Sequence, residues 1–140
     1  MDSPAHRLTL PARVESLEEF RQFVRAGAVA CGIAPGEIDQ LDLVMEEILM
    51  NVARYAYVPE TGVVEVTYWQ ASPGRLRIEI TDQGHSFDPL AADPPDLSRG
   101  LADRPIGGLG VFLVRSLVES MAYRRENGRN VLSFEFSGHG

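Results

Sequence analysis

The sequence lacks a second cysteine, and this excludes two classes of stabilising site. Cys31 is the only cysteine among 140 residues, so neither an intramolecular disulfide nor a zinc site built from cysteines is possible. A lone cysteine suits a protein of the reducing cytoplasm. Its expected role is that of a small buried hydrophobe.

Positive charge is also scarce. The chain carries 13 Lys and Arg residues against 20 Asp and Glu residues, a formal net charge of -7. Nucleic-acid binding depends on clustered Lys and Arg side chains that displace counterions, so we expect no direct contact with nucleic acid. An anionic ligand has to be held locally, by backbone N–H groups, a metal ion or one or two arginines.

Long apolar runs are absent. The first residues, MDSPAHRLTLPARVES, contain no apolar core of a signal peptide, and no stretch approaches the roughly eighteen apolar residues that span a membrane. We therefore expect a soluble, cytoplasmic protein without membrane contact. The length and the 44% hydrophobic content suit a single domain over residues 1–140.

The apolar residues that are present recur with two periods, every three or four positions in some segments and every second position in others. The first half of the chain is predicted to form a strand over 7–14, a helix over 16–32, a turn at Pro35 and Gly36, and a long helix over 40–57. The second half is predicted to form hairpin strands over 63–69 and 75–81, a loop over 88–106, a helix over 110–125 and a strand over 130–137. This order predicts an α+β fold, a two-layer α/β sandwich with the helices on one face of a mixed, mostly antiparallel sheet.

A polar line runs beside the apolar stripe of the long helix. Glu47, Asn51 and Arg54 occupy positions i, i+4 and i+7, which places them on one helix face. The pattern fits a solvated face, but asparagine is a poor helix-interior residue unless its amide has a partner. In a pocket, the asparagine oxygen suits Mg²⁺, the carboxylate could accept a proton and the arginine could face a phosphate.

Two glycine clusters flank the long loop. Asp82 directly follows a predicted strand and Gly84 permits a sharp change of direction, which fits either an ordinary turn or a carboxylate that accepts a hydrogen bond from an amino group such as that of adenine. Gly107, Gly108 and Gly110 match neither a phosphate loop nor a Rossmann fingerprint. They form a glycine-rich helix start, where N–H groups favour a phosphate, or a cap without a ligand.

The motifs EEILMNVARYAY, TDQGHSFDP and GGLGVFLVRSLVE follow one another in a defined order. This order resembles that of the GHKL or Bergerat-fold ATP-binding domains, found in gyrase, histidine kinases and mismatch-repair ATPases. Within that superfamily the chain is most similar to the bacterial anti-sigma-factor serine kinases, over essentially its whole length. The resemblance implies a histidine kinase-like ATPase domain with ATP and Mg²⁺ as cofactors and an ATP lid over about residues 89–106, since loops of this length are usually functional or disordered.

The resemblance also implies roles for individual residues. Glu47 corresponds to a general base that deprotonates a serine of a protein substrate, Asn51 to a Mg²⁺ ligand, and Asp82, with Gly84 beside it, to the reader of the adenine amino group. The remaining implied nucleotide-binding residues are Arg54, Phe87, Arg104, Gly107, Gly108, Leu109, Gly110 and Ser133, the last through a hydroxyl that supports adenine from the final strands.

The implied function is that of an ATP-binding anti-sigma factor and serine protein kinase. Such a protein phosphorylates an anti-sigma factor antagonist of the STAS type and sequesters a sigma factor, usually as a homodimer whose partner-binding surface lies on about residues 8–30. Two alternatives stay open: an ATP-binding partner-switching module without catalysis, and an ATP-hydrolysing fragment related to the gyrase or mismatch-repair domains. The presence of Glu47 favours the kinase, and the shortness of the chain disfavours the fragment.

Overall fold

Two helices pack on one face of a five-stranded sheet in a computed structural model that describes residues 4–53, 62–84, 114 and 116–138. The elements are β1 (His6–Pro11), α1 (Leu17–Cys31), α2 (Pro35–Asn51), β2 (Val63–Ser72), β3 (Arg75–Asp82), β4 (Ser120–Glu126) and β5 (Arg129–Ser137), with a short 3₁₀ turn at Val14–Ser16. The predicted α+β class, with the helices on one face of the sheet, is confirmed.

The sheet has the strand order β1-β2-β3-β5-β4. All four pairings among these strands are antiparallel, which corrects the expectation of a mixed sheet for the described part of the chain. Tight turns join β2 to β3 and β4 to β5, and strands joined this way must run antiparallel. Since β5 lies between β3 and β4, its ends are flanked on both sides by other strands.

Alternate residues of each strand face the helices, as the period of two requires. The helix-facing set is buried and mostly apolar: Val64, Val66 and Tyr68 in β2, Leu76, Ile78 and Ile80 in β3, and Leu132, Phe134 and Phe136 in β5. The outer face carries polar residues, among them Glu65 and Glu79. This division fixes the register of every strand, because a slip of one residue would exchange the two faces.

Helix α1 has the predicted extent and packing. Leu17, Phe20, Val24 and Ala28 are all buried, and the helix ends at Gly32, which adopts a left-handed conformation with φ 91°. An ion pair between Arg25 and Asp42 joins α1 to α2.

Helix α2 begins at Pro35, so the predicted turn at Pro35 and Gly36 is wrong. Proline favours the first helical position, where its missing N–H costs nothing and its φ is already suitable. Glu37 in the first turn also interacts favourably with the helix dipole. The predicted apolar stripe is buried at Leu41, Val44, Met45, Ile48 and Val52.

The predicted helix over 110–125 is wrong in its second half, where residues 120–126 form β4. Helical geometry is described only at Val114, Ser116 and Leu117. Asn127 and Gly128, with φ of 52° and 76°, form the kind of two-residue turn that joins paired strands directly. Pairing of the whole of β4 with β5 outweighs the helical preference of this segment.

Cys31 is buried at the end of α1, as expected for a small hydrophobe. Burial raises the pKa of its thiol, so the thiol stays protonated at neutral pH. Among the described residues, no helix is both long and apolar enough to cross a membrane.

Gly27 of α1 packs against the Tyr68 ring of β2, and replacing it with alanine is expected to destabilise the protein. A Cβ atom there would overlap the Tyr68 ring, lying 2.6 Å from Cζ. We expect a loss of about 1–3 kcal/mol of unfolding free energy although alanine is the better helix former. Urea unfolding of Gly27→Ala and of the wild type measures this loss of unfolding free energy. Gly36→Ala is the control, since a Cβ there meets open space; equal effects of the two changes would contradict the prediction.

Candidate functional site

A pocket that is partly open to solvent lies between α2 and the ends of three strands. Its walls are Ile48, Asn51 and Val52 from α2, Ile80 and Asp82 from β3, Met121 and Tyr123 from β4, Asn130 and Leu132 from β5, and Val114. The lining is mostly apolar, with a few polar groups. This composition is typical of sites for flat, partly polar organic ligands.

Asp82, the last residue of β3, is the acidic group of the pocket and is only 6% exposed. Its Oδ1 accepts hydrogen bonds from the Gly84 N–H and from Nδ2 of Asn130, both at 2.9 Å. In the described ranges, no donor reaches Oδ2. Because an unpaired polar atom is costly to bury, Oδ2 is suited to accept a hydrogen bond from a ligand in the pocket.

Asn130 joins three strands at this end of the sheet. Its Oδ1 accepts hydrogen bonds from the Tyr123 hydroxyl at 2.6 Å and from Nη1 of Arg125 at 3.0 Å. The same Nη1 donates to the Gly84 carbonyl at 2.8 Å. The carboxylate of Asp82 is therefore held by a connected set of hydrogen bonds rather than by its own strand alone.

Asn51, the last residue of α2, provides a second polar group to the pocket. It is 5% exposed, and its side-chain amide has no hydrogen-bond partner among the residues that the structure describes. A buried amide without a partner is costly, so this one is suited to a ligand. An amide oxygen is a hard ligand of the kind that Mg²⁺ takes, in small number, when it also binds phosphates, so Asn51 fits a Mg²⁺ site.

Glu47 lies one helical turn before Asn51 on α2, about 6 Å away along the helix axis. Its side chain is partly exposed and it is not among the pocket's walls. A carboxylate in this position is accessible to a group presented from outside, such as a hydroxyl of a bound protein.

Ser133 does not line the pocket. It pairs across the sheet with Glu79 and with Ala122, and directly paired residues share a face. Glu79 belongs to the outer face, so Ser133, although buried, also points away from the pocket. The residue of β5 that stands beside Asp82 is Asn130, and the role carried over to Ser133 does not fit the geometry.

The other sequence-predicted nucleotide-binding residues lie outside the described part of the chain. They are Arg54, Phe87, Arg104, Gly107, Gly108, Leu109 and Gly110, together with the predicted lid over 89–106. The structure therefore brings together Asn51, Asp82 and Gly84 from the predicted set, with Glu47 on the same helix.

Sequence reasoning missed Asn130, Tyr123 and Arg125. The signal for Asn130 was present, because Leu132 and Phe134 continue its alternation along β5 and so predict that it faces the helices. Tyr123 and Arg125 could not be found while their segment was assigned to a helix.

A family model for the histidine kinase-like ATPase domain matches residues 10–136. The chain belongs to this family. Serine-protein kinase RsbW from Bacillus thuringiensis (strain Al Hakam) and from Bacillus cereus (strain 03BB102) are each 25% identical to it over 133 residues, covering 92% of this chain and 82% of the relative. The family predicted from the motifs is thus confirmed, and its name implies the use of ATP.

A crystal structure of the RsbU and RsbW domains of a Mycobacterium tuberculosis protein has the same fold. It superposes with a TM-score of 0.66 at 18% sequence identity, covering 96% of this chain and 32% of the other. The present chain thus spans about a third of that longer one. The predicted two-layer fold of this superfamily is confirmed.

Proposed function

We propose that this chain is a single-domain, ATP-binding serine protein kinase that transfers the γ-phosphoryl group of ATP to a protein partner. The observation that carries the proposal is a pair of buried polar groups in one apolar pocket, Oδ2 of Asp82 and the amide of Asn51, for which the described residues provide no hydrogen-bond partner. They stand on opposite walls, one on the sheet and one on α2, as a ligand with an amino group and a phosphate chain requires.

The adenine base is placed at the sheet end of the pocket. Ile80, Leu132 and Met121 provide apolar surfaces for a flat ring, and Oδ2 of Asp82 accepts a hydrogen bond from the exocyclic amino group. An anionic acceptor forms the stronger class of hydrogen bond. It also disfavours a purine that presents a carbonyl oxygen at the same position.

The phosphates are placed toward α2. Asn51 would hold Mg²⁺, which neutralises phosphate charge when it is bound. Glu47, one turn away and partly exposed, accepts the proton of the attacking serine hydroxyl. Phosphoryl transfer depends mainly on positioning and charge neutralisation, and these are the roles that we propose for Glu47 and for Asn51 with Mg²⁺.

The protein partners are proposed from the resemblance and from the relatives. Both Bacillus relatives bear the name serine-protein kinase, which supports a serine-containing protein as substrate. We propose an anti-sigma factor antagonist of the STAS type as that substrate and a sigma factor as the sequestered partner, both bound in the cytoplasm by a homodimer.

Incubation with Mg²⁺, γ-labelled ATP and the antagonist-type proteins encoded nearby tests the proposal. We expect label on a serine of one antagonist, in an amount that grows with time and requires the present chain. Nucleotide binding without transfer to any candidate antagonist would instead favour a partner-switching module that does not catalyse. Release of labelled phosphate to water alone would favour an ATP-hydrolysing protein.

A further inference from the structure

Arg125 stands at the centre of the hydrogen bonds that hold Asp82, although it is not a wall of the pocket. Its Nη1 donates to the Gly84 carbonyl at 2.8 Å and to Oδ1 of Asn130 at 3.0 Å. One guanidinium group on β4 thus contacts both the turn that follows Asp82 and the side chain beside Asp82. Neither the family match nor the relatives assign a role to this residue.

The contact with Arg125 determines which way the Asn130 amide is turned. A guanidinium group has N–H donors and no acceptor, so the Asn130 atom that faces it has to be the oxygen. The amide nitrogen then faces Asp82 and donates to Oδ1 at 2.9 Å. The Tyr123 hydroxyl, 2.6 Å from the same oxygen, is compatible with this orientation but could act as donor or acceptor and would not impose it.

The contact with Gly84 holds the other hydrogen bond of Asp82. The Gly84 N–H donates to Oδ1 of Asp82 at 2.9 Å, and Arg125 binds the carbonyl of the same glycine. Both donors to Oδ1 are therefore kept in place by Arg125. Oδ1 thus accepts two hydrogen bonds, and Oδ2, which no donor of the described residues reaches, is the oxygen available to the pocket.

We propose that Arg125 is a positioning residue for base recognition, which acts through Asn130 and Gly84 to direct Oδ2 of Asp82 at the amino group of the purine. This inference rests on the proposed function, because it needs an adenine nucleotide in the pocket. Arg125 itself touches neither base nor phosphate. Its contribution is to the discrimination between purines rather than to nucleotide binding in general.

The test compares the affinities of ADP and of inosine diphosphate (IDP), which has a carbonyl oxygen in place of the amino group. Calorimetric titration of the wild type is expected to give about 10- to 100-fold tighter binding of ADP, the usual range for a hydrogen bond to a charged group. In Arg125→Met the ADP affinity falls by about tenfold or more, whereas the IDP affinity stays within about threefold. A purely structural role would weaken both nucleotides together.

Arg124→Met is the matched control. It removes a guanidinium group from the neighbouring position of β4, but on the outer face, where Arg124 pairs with Glu79 and Glu126. We expect an unchanged ratio of the ADP affinity to the IDP affinity.

Asn130→Asp is a second test variant. It keeps the shape of the side chain and its acceptor for Arg125, but removes the N–H donated to Asp82. The ratio of affinities should fall as in Arg125→Met.

Each outcome has a separate meaning. A fall of the ratio in Arg125→Met and Asn130→Asp but not in Arg124→Met supports the inference. An unchanged ratio in Arg125→Met, whatever Asn130→Asp shows, or equal weakening of ADP and IDP, overturns it while the proposed nucleotide site stands. Failure of the wild type to bind ADP overturns the proposed function itself. Should Arg125→Met fail to fold, Arg125→Gln replaces it: its amide can present either a donor or an acceptor to Asn130, so the ratio should fall there too.

Discussion

Replacing Asp82 with asparagine is expected to abolish most of the nucleotide affinity and to leave the fold intact. Asparagine has the same shape, and its oxygen can still accept the hydrogen bonds from Gly84 and Asn130. The group directed into the pocket is then an N–H donor. It faces the adenine amino group, which is also a donor, so no hydrogen bond forms between them. Loss of a charged hydrogen bond, together with an unsatisfied donor, costs about 2–4 kcal/mol, or roughly 30- to 1000-fold in affinity.

Thermal unfolding with and without Mg-ADP measures this effect. At a concentration 100 times its dissociation constant, a ligand stabilises the native state by about 2.7 kcal/mol, so the wild type should melt about 5–10 °C higher with nucleotide. Asp82→Asn should show little or no shift, with a melting temperature close to that of the wild type without nucleotide.

Glu79→Gln is the matched control for the loss of a carboxylate. Glu79 lies on the same strand but on the outer face, so its replacement should leave the nucleotide-induced shift unchanged. A normal shift in Asp82→Asn would show that this residue does not recognise the base. No shift in the wild type at millimolar Mg-ADP would count against the nucleotide site as a whole.

The sequence was sufficient to predict the two helices and the first hairpin because their burial patterns are local. Four residues at helical spacing define the buried face of α1, and alternation defines the strands, strictly in β3 and with an extra buried residue, Thr67, in β2. Motif order then indicated the superfamily, which the family match confirms, while the nucleotide-binding roles of Asp82 and Asn51 stay predictions. Each of these side chains lies at the end of a regular element, where the pattern that predicts the element also places the residue.

Strand β4 was not predicted, because the sheet that it joins is built from distant segments: its hairpin partner β5 also pairs with β3. The segment before Ser120 has helical spacing, and nothing within it shows where the helix ends. Strand β4 forms because β5 offers it a complete ladder of backbone partners, while β5 itself pairs with β3, about fifty residues earlier in the chain. The Asn127–Gly128 turn was the only local sign of the hairpin.

The error at Ser133 has a related cause. The resemblance matches Ser133 to a hydroxyl residue of the family, but the face of the strand decides which side chains reach the pocket. Since Leu132, Phe134 and Phe136 fill the core, Ser133 has to point outward and Asn130 inward. Residue type and periodicity were both visible in the sequence, and periodicity was the stronger physical constraint.

Replacing Glu47 with glutamine is expected to abolish phosphoryl transfer while nucleotide binding is retained. The substitution keeps the size and polarity of the side chain but removes its ability to accept a proton. General-base catalysis typically contributes about 10²- to 10⁴-fold to the rate, so transfer to a serine of the antagonist should fall by at least about 100-fold. The affinity for Mg-ADP should stay within about threefold, because Glu47 is not a wall of the pocket.

Glu46→Gln separates this role from a general effect of charge on α2. Glu46 precedes Glu47 by one residue, which turns its side chain about 100° around the helix, and it is partly exposed to a similar degree. Single-turnover transfer from γ-labelled ATP should be near normal in Glu46→Gln and nearly absent in Glu47→Gln. Equal loss in both variants would indicate that acidic charge near the phosphates, rather than proton transfer at one carboxylate, supports the reaction. Normal transfer in Glu47→Gln would require the base to be another group, because a glutamine amide cannot take up the serine proton at neutral pH.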